Sequence, residues 1–263
     1  MKFKIVLIYS FLISSCNAQS SYISFHKPNY NCIAEDIFGQ MALTAYLTEK
    51  EIAEKDTTNV SLQEEEQAAV PYLQAFEKEN LLVKDTISYI ASLKILRYAL
   101  HQFLEACPNR RWKNYEIYIL KSNAINAFTV GGKIFFTTAL LNKVNQNTSM
   151  LTFILLHEIG HNELKHLYYQ IKRKKALGEL IAKSGEMLFF SLNQFNELEA
   201  DCFAIDVMKY LKLKPLESIQ FFSLLQKEDN KEVSTNYYLE KIFTTHPLHS
   251  ERKECLEKFI HQK

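Results

Sequence analysis

His157, Glu158 and His161 fall in the stretch LLHEIGHNELKH, residues 155–166. Two histidines four residues apart leave an α-helix about 40° apart around its axis, so both imidazoles can face one ion. Glu158 follows the first of them. There it can reach water at such an ion without taking up a ligand position, which makes it the natural general base of a hydrolytic zinc site. The residues just before, SMLTFILL at 149–156, are almost wholly apolar. They bury the helix and leave its polar groups at the floor of a cleft, where buried histidines need partners. The competing reading is an ordinary amphipathic helix with surface or capped core histidines, and a five-residue pattern alone does not exclude it.

A catalytic zinc requires a third protein ligand and an open position. The metzincin spacing is excluded, because Leu164 and Leu167 stand where that pattern needs glycine and histidine, and His166 is one residue off. Downstream, NELEAD at residues 196–201 reads as the opening of another helix. Glu197 and Asp201 share a face, so Glu197 can ligate while Asp201 accepts a hydrogen bond from a ligand histidine. Glu199 points about 160° away and is the weaker ligand candidate. The alternative is an acidic first turn that complements the helix dipole, with Asn196 as its cap. A later motif, THPLHSER at residues 245–252, supplies His246 and Arg252 as candidates for an oxyanion donor or for a group that gates the open position. Against that, His246 before Pro247 can simply shape a turn, and Arg252 can pair with a carboxylate. His249 reads as exposed.

These side chains need a scaffold. From Glu35 to Leu104 the helical spacing of Ala, Leu, Glu and Lys predicts two or three helices, broken near KDTTNVS and Pro71. The EEE run at residues 64–66 reads as a solvated helix face, as does KRKK at 172–175. After CPNRRWKN the period becomes alternating. YEIYIL, AINAFTV and KIFFTT predict three strands, the last two joined by a tight hairpin through Gly131-Gly132. Helical spacing returns over residues 138–145, 148–170, 176–192, 194–211, 215–227 and 249–261. The expected fold is α+β, mostly helical, with a small sheet or hairpin beside the active-site helix. Its edge, at Asn126, Ala127 and Phe128, could hold an extended polypeptide through backbone hydrogen bonds.

In this order the segments resemble the zinc metallopeptidases that include HtpX and the CAAX prenyl endopeptidases, peptidase family forty-eight. NAINAFTVGGKIFFTTALL is similar to the family's edge-strand hairpin, LLHEIGHNELKH to its active helix, NELEAD to its third-ligand helix and THPLHSER to its late His-Pro motif, covering residues 115–260. The resemblance implies a gluzincin-type domain and one Zn2+ per chain held by His157, His161 and Glu197. It implies Glu158 as the catalytic residue and Asp201 behind the ligands. The chain lacks the transmembrane helices of the family's integral-membrane branch and looks like its soluble, periplasmic, lipoprotein-like branch. The expected function is a zinc metalloendopeptidase acting on extended or misfolded envelope proteins. From a different class, the competing function is an envelope chaperone-like or binding module with a structural or silent zinc site.

The N-terminus supports export. Lys2 and Lys4 precede an apolar run at residues 5–13 and then small residues, the pattern of a secretory signal, and the run is shorter than the about 20 apolar residues that span a bilayer. ISSC at 13–16 resembles a lipoprotein signal that would lipidate Cys16 and give a membrane anchor. The alternative is cleavage after Ala18, leaving a secreted or soluble periplasmic protein. The expected organisation is a signal peptide at 1–18 and one metallopeptidase domain at 19–263, with an N-terminal helical region up to about residue 114. Loss of Lys2 and Lys4 with the leader leaves 29 basic side chains against 30 acidic ones, and no basic cluster alternates with aromatics, which argues against nucleic acid as a partner. Cys32, Cys107, Cys202 and Cys255 permit three disulfide pairings that sequence does not rank. A bridge through Cys32 or Cys107 is compatible with export, and Cys202 reads as a buried thiol in a helix.

Overall fold

The computed structural model describes residues 23–184, 186–225 and 250–261, with the backbone alone at 176–193, 225 and 250. The expected leader at 1–18 and Cys16 lie outside the described residues. No helix among those described is long and apolar enough to cross a membrane.

The N-terminal region holds four helices where the sequence suggests two or three: α1 Ile37–Lys55, α2 Leu62–Gln67, α3 Val70–Lys78 and α4 Ile90–Ala106. Local chemistry sets their starts. The Asp36 carboxylate accepts from the Gly39 amide at 2.6 Å. Ser61 and Glu64 close a capping box at α2, and Pro71 sits in the first turn of α3, where its missing N–H has no partner to lose.

Three strands follow, β1 Glu116–Leu120, β2 Ala127–Val130 and β3 Lys133–Thr137. They form one sheet in the order β1-β3-β2, with β1 parallel and β2 antiparallel to β3. Gly131 and Gly132 both have positive φ, 54° and 77°, the type I′ signature that matches strand twist in a two-residue hairpin. One face of the sheet, with Ile119, Ala127, Ile134 and Phe136, enters the main core. The other face stacks Phe128 and Phe135 under Phe76 of α3. α3 thus covers a surface that would otherwise be left wet.

The remaining helices are α5 Thr138–Val144, α6 Thr148–Glu163, α7 His166–Ser184, α8 Glu186–Tyr210, α9 Pro215–Ser218, α10 Gln220–Leu225 and, last among those described, α11 Ser250–Ile260. Every residue of α6 from Met150 to Gly160 is buried, as expected for a helix that is apolar on all sides and packs between layers. It lies between α4, α8 and the sheet.

Several expectations change, among them the break expected near residue 193, which falls inside α8, and the segment from 215, which forms α9 and α10. The segment at 148–170 is two helices, because Lys165 takes a left-handed φ of 64° and ends the first. NELEAD does not open a helix but lies inside α8, where Asn196 accepts from the Tyr46 hydroxyl at 2.9 Å instead of capping. Each of the two charged runs buries one of its residues while Glu66, Lys174 and Lys175 stay exposed. Glu65 is buried against the Arg111 guanidinium, and Lys172 is buried with its Nζ donating to the Asp56 carbonyl at 2.8 Å.

Candidate metal centre

α6 and α8 approach closely at Gly160. A Cβ there would meet Phe203 Cδ1 at 3.1 Å and the Ala200 Cα at 3.2 Å. Glycine therefore lets α8 lie near enough for Glu197 to face the α6 histidines. His157 Nε2 and His161 Nε2 are 3.1 Å apart. Glu197 sets Oε2 3.3 Å from His157 Nε2 and Oε1 3.3 Å from His161 Nε2.

Such spacings suit a cation. Neighbouring donors of a tetrahedral site with bonds of about 2.0–2.1 Å lie about 3.3–3.4 Å apart, and two imidazoles with one carboxylate are a usual catalytic zinc set. Among the described residues these three are the group of His, Cys, Asp and Glu side chains able to converge on one ion. The residues present therefore fit a zinc ion, with His157, His161 and Glu197 as its holders.

Asp201 stands where the helical spacing puts it. His157 Nδ1 donates to Asp201 Oδ1 at 2.8 Å, which fixes the ring and leaves Nε2 toward the other donors. Arg252, from α11, forks onto Asp201 through Nε at 2.9 Å and a terminal nitrogen at 2.8 Å, and its other terminal nitrogen lies 3.1 Å from Glu197 Oε2. Of the readings open for Arg252, the structure shows the carboxylate partner. It buttresses two acidic side chains from behind. His246 lies outside the described residues, as does His249.

Burial and charge sort the protonation states. Burial pushes the Asp201 carboxyl up, but the Arg252 charge and the His157 hydrogen bond outweigh it and hold the carboxyl below its ordinary range. Burial lowers His161 to about 3 against the pull of Glu197, so its imidazole is neutral, the ligating form. His157 goes the other way: burial opposes the rise, yet Asp201 and then Glu197 bring it up to about 10. A cation at Nε2 competes with that proton.

Glu158 is 2% exposed, one residue from His157. Its carbonyl accepts from Asn162 Nδ2 at 2.9 Å, and the same amide group donates to Thr129 Oγ1 at 2.8 Å. The Asn162 oxygen accepts from the Gly132 amide at 3.1 Å. Asn162 thus ties the hairpin to the turn that carries Glu158 and His161. β2 has a strand neighbour on one side alone among the described residues. Asn126 pairs back with Thr137, so the antiparallel alternation turns the backbone groups of Ala127 and Thr129, not those of Asn126 or Phe128, to the outer edge. The Phe128 side chain packs away from α6, in the cluster under α3.

In the sequence Glu199 reads only as a weaker ligand and His166 is set aside, and neither Lys50 nor Tyr30 is singled out. His166 Nδ1 lies 2.8 Å from His161 Nδ1, and its Nε2 lies 3.1 Å from Glu199 Oε2. Lys50 Nζ reaches both Glu199 oxygens at 2.7 and 2.6 Å, and the Tyr30 hydroxyl donates to Oε1. Burial raises the Glu199 carboxyl, but Lys50 and then His166 more than reverse this and hold it well below its ordinary range.

Two histidines on the buried α6, a carboxylate from α8 and a buried glutamate beside them form a site that could hold one metal ion, the arrangement of a metallohydrolase. Comparison with known proteins narrows the class. The family model described as Peptidase family M48 matches residues 96–183, which include the hairpin and the His157–His161 helix. The chain is also similar to the metalloendopeptidase OMA1, mitochondrial, of Bos taurus, at 26% identity over 217 residues, 73% of this chain. It spans 40% of that relative's length. The matched segment carries the hairpin and both histidines of the site, so the chain is similar to the metallopeptidases of that family across this part.

Proposed function

We propose that the chain is a zinc endopeptidase that cleaves extended or misfolded polypeptides of the cell envelope. The observation that carries this reading is the convergence of His157, His161 and Glu197 within 3.1–3.3 Å, with Glu158 buried beside them. A zinc ion held there would supply Lewis acidity toward water and the scissile carbonyl. The chain's own residues do the rest. Glu158 takes a proton from the attacking water onto its carboxylate and delivers it to the departing amine. The outer backbone groups of Ala127 and Thr129 can pair with an extended substrate, fixing its main chain next to α6 with little demand on side chains. Asp201 and Arg252 hold His157 and Glu197 in place.

The Cys32–Cys255 disulfide supports an exported protein, since such bridges persist in oxidising compartments. Anchoring to a membrane through lipidated Cys16 belongs to the same reading, with secreted or soluble periplasmic protein as the alternative.

Glu158→Gln tests the reading directly. The substitution keeps the shape and leaves the ligands untouched, so zinc content by elemental analysis should stay at one per chain, the signal lost in His157→Ala. Cleavage of an unfolded test protein should fall by about 10²–10⁴-fold. A variant that loads zinc and still cleaves at the wild-type rate would show that Glu158 is not the base.

A further inference from the structure

We propose that His166 is a positioning residue for the metal centre, carrying a hydrogen-bonded relay from His161 to the Glu199–Lys50 ion pair; this rests on reading His161 as a ligand. For His161 to offer Nε2 to an ion, its proton must sit on Nδ1. That atom is 2.8 Å from His166 Nδ1. His166 Nδ1 must then accept, which places the His166 proton on Nε2, 3.1 Å from Glu199 Oε2. Both tautomers follow from geometry, because each ring has one nitrogen committed on either side. The relay ends on a charge that is itself fixed. Lys50 spans both Glu199 oxygens at 2.7 and 2.6 Å, and Tyr30 donates to one of them.

The other ligand histidine is supported in the same way without an intermediary: His157 donates to Asp201, which Arg252 clamps. Each ligand imidazole therefore ends on a carboxylate neutralised by a cation, directly for His157 and through His166 for His161. The left-handed turn at Lys165 makes the second arrangement reachable, since residues five apart on an unbroken helix would diverge by about 140°. Lys50 lies in α1 and Tyr30 in the segment before it, so this relay joins the N-terminal region to the metal site. Ligand imidazoles gain basicity and a fixed orientation from such acceptors, and loss of one weakens metal binding by about 10–100-fold.

The test uses the full chain and zinc itself, with affinity read by competition against a chromophoric chelator and cobalt absorption as a signature of the ligand field. His166→Ala cuts the relay. Glu199→Gln keeps an acceptor for His166 and Tyr30 but removes the charge, and Lys50→Met unmasks that charge while leaving the hydrogen bonds from His166 and Tyr30. Wild type should bind one zinc per chain. His166→Ala and Glu199→Gln should each weaken it by at least about tenfold and shift the cobalt bands, with circular dichroism unchanged. Zinc affinity within about twofold of wild type in folded His166→Ala, with the cobalt spectrum unmoved, overturns the relay while leaving the metal centre intact. Should His166→Ala not fold, Glu199→Gln decides by the same criterion. Failure of the wild type to take up zinc removes the centre and the relay together.

Discussion

At the scale of single residues, Arg252 is expected to couple stability to metal binding through Glu197 and Asp201. Its side chain is 4% exposed and faces Glu197 at 3.1 Å and Asp201 at 2.8 Å, while the Glu158 charge also acts on it. Arg252→Met would leave those carboxylates buried around a site with one cation fewer. Breaking a buried pair by removing one partner costs about 3–5 kcal/mol, because the remaining charge keeps its desolvation penalty. The metal-free variant should therefore lose about that much in denaturant unfolding. Zinc, which neutralises Glu197, should raise the melting temperature of the variant more than that of the wild type. An equal zinc-induced shift in both proteins would mean that Arg252 does not act through those carboxylates. What could be read in advance here is what helical arithmetic covers: His157 with His161, and Glu197 with Asp201, each four apart. The pairing of Glu199 with His166, Lys50 and Tyr30 could not be read, because it spans separations of 33, 149 and 169 residues.

At the scale of elements, the spacing of α6 and α8 controls whether three donors meet. Gly160 is the contact point, with Phe203 and the Ala200 backbone 3.1–3.3 Å from any added Cβ. Gly160→Ala gains up to about 1 kcal/mol of helix propensity. Overpacking a close helix contact costs about 1–3 kcal/mol, and the Ala200 backbone cannot rotate out of the way as a side chain can. The net expectation is destabilisation, and a weaker zinc affinity as Glu197 moves off with α8. A melting temperature at or above wild type with unchanged chelator competition would falsify this account of the contact. The hairpin was legible for a related reason, since two consecutive glycines license the positive φ that a type I′ turn needs. The end of α6 was not, because the left-handed position falls on Lys165 with no glycine or proline to announce it. In the acidic run at 64–66 the solvated face holds at Glu66 but fails at Glu65, which pairs with Arg111, 46 residues on.

At the scale of the whole molecule, the parts that support the site come from both ends of the described chain. Cys32 and Cys255, 223 residues apart, are joined in a disulfide. Their neighbours are Tyr30, which donates to Glu199, and Arg252, which clamps Asp201. Sequence left three pairings open because only the folded chain brings one pair of Cα atoms to 5.7 Å; Cys107 and Cys202 stay as buried thiols. The bridge therefore ties the segment behind one ligand histidine to the helix behind the other. Removing it with Cys32→Ser and Cys255→Ser should lower stability by roughly 2–4 kcal/mol, chiefly by releasing the unfolded chain from a long closed loop. The loosening should be local as well as global: amide exchange should rise first at residues 23–34 and 250–261, and zinc affinity should fall because both supporting contacts become easier to open. If exchange in those two segments is unaltered while overall stability drops, the disulfide acts on the unfolded state alone and the metal centre does not depend on it.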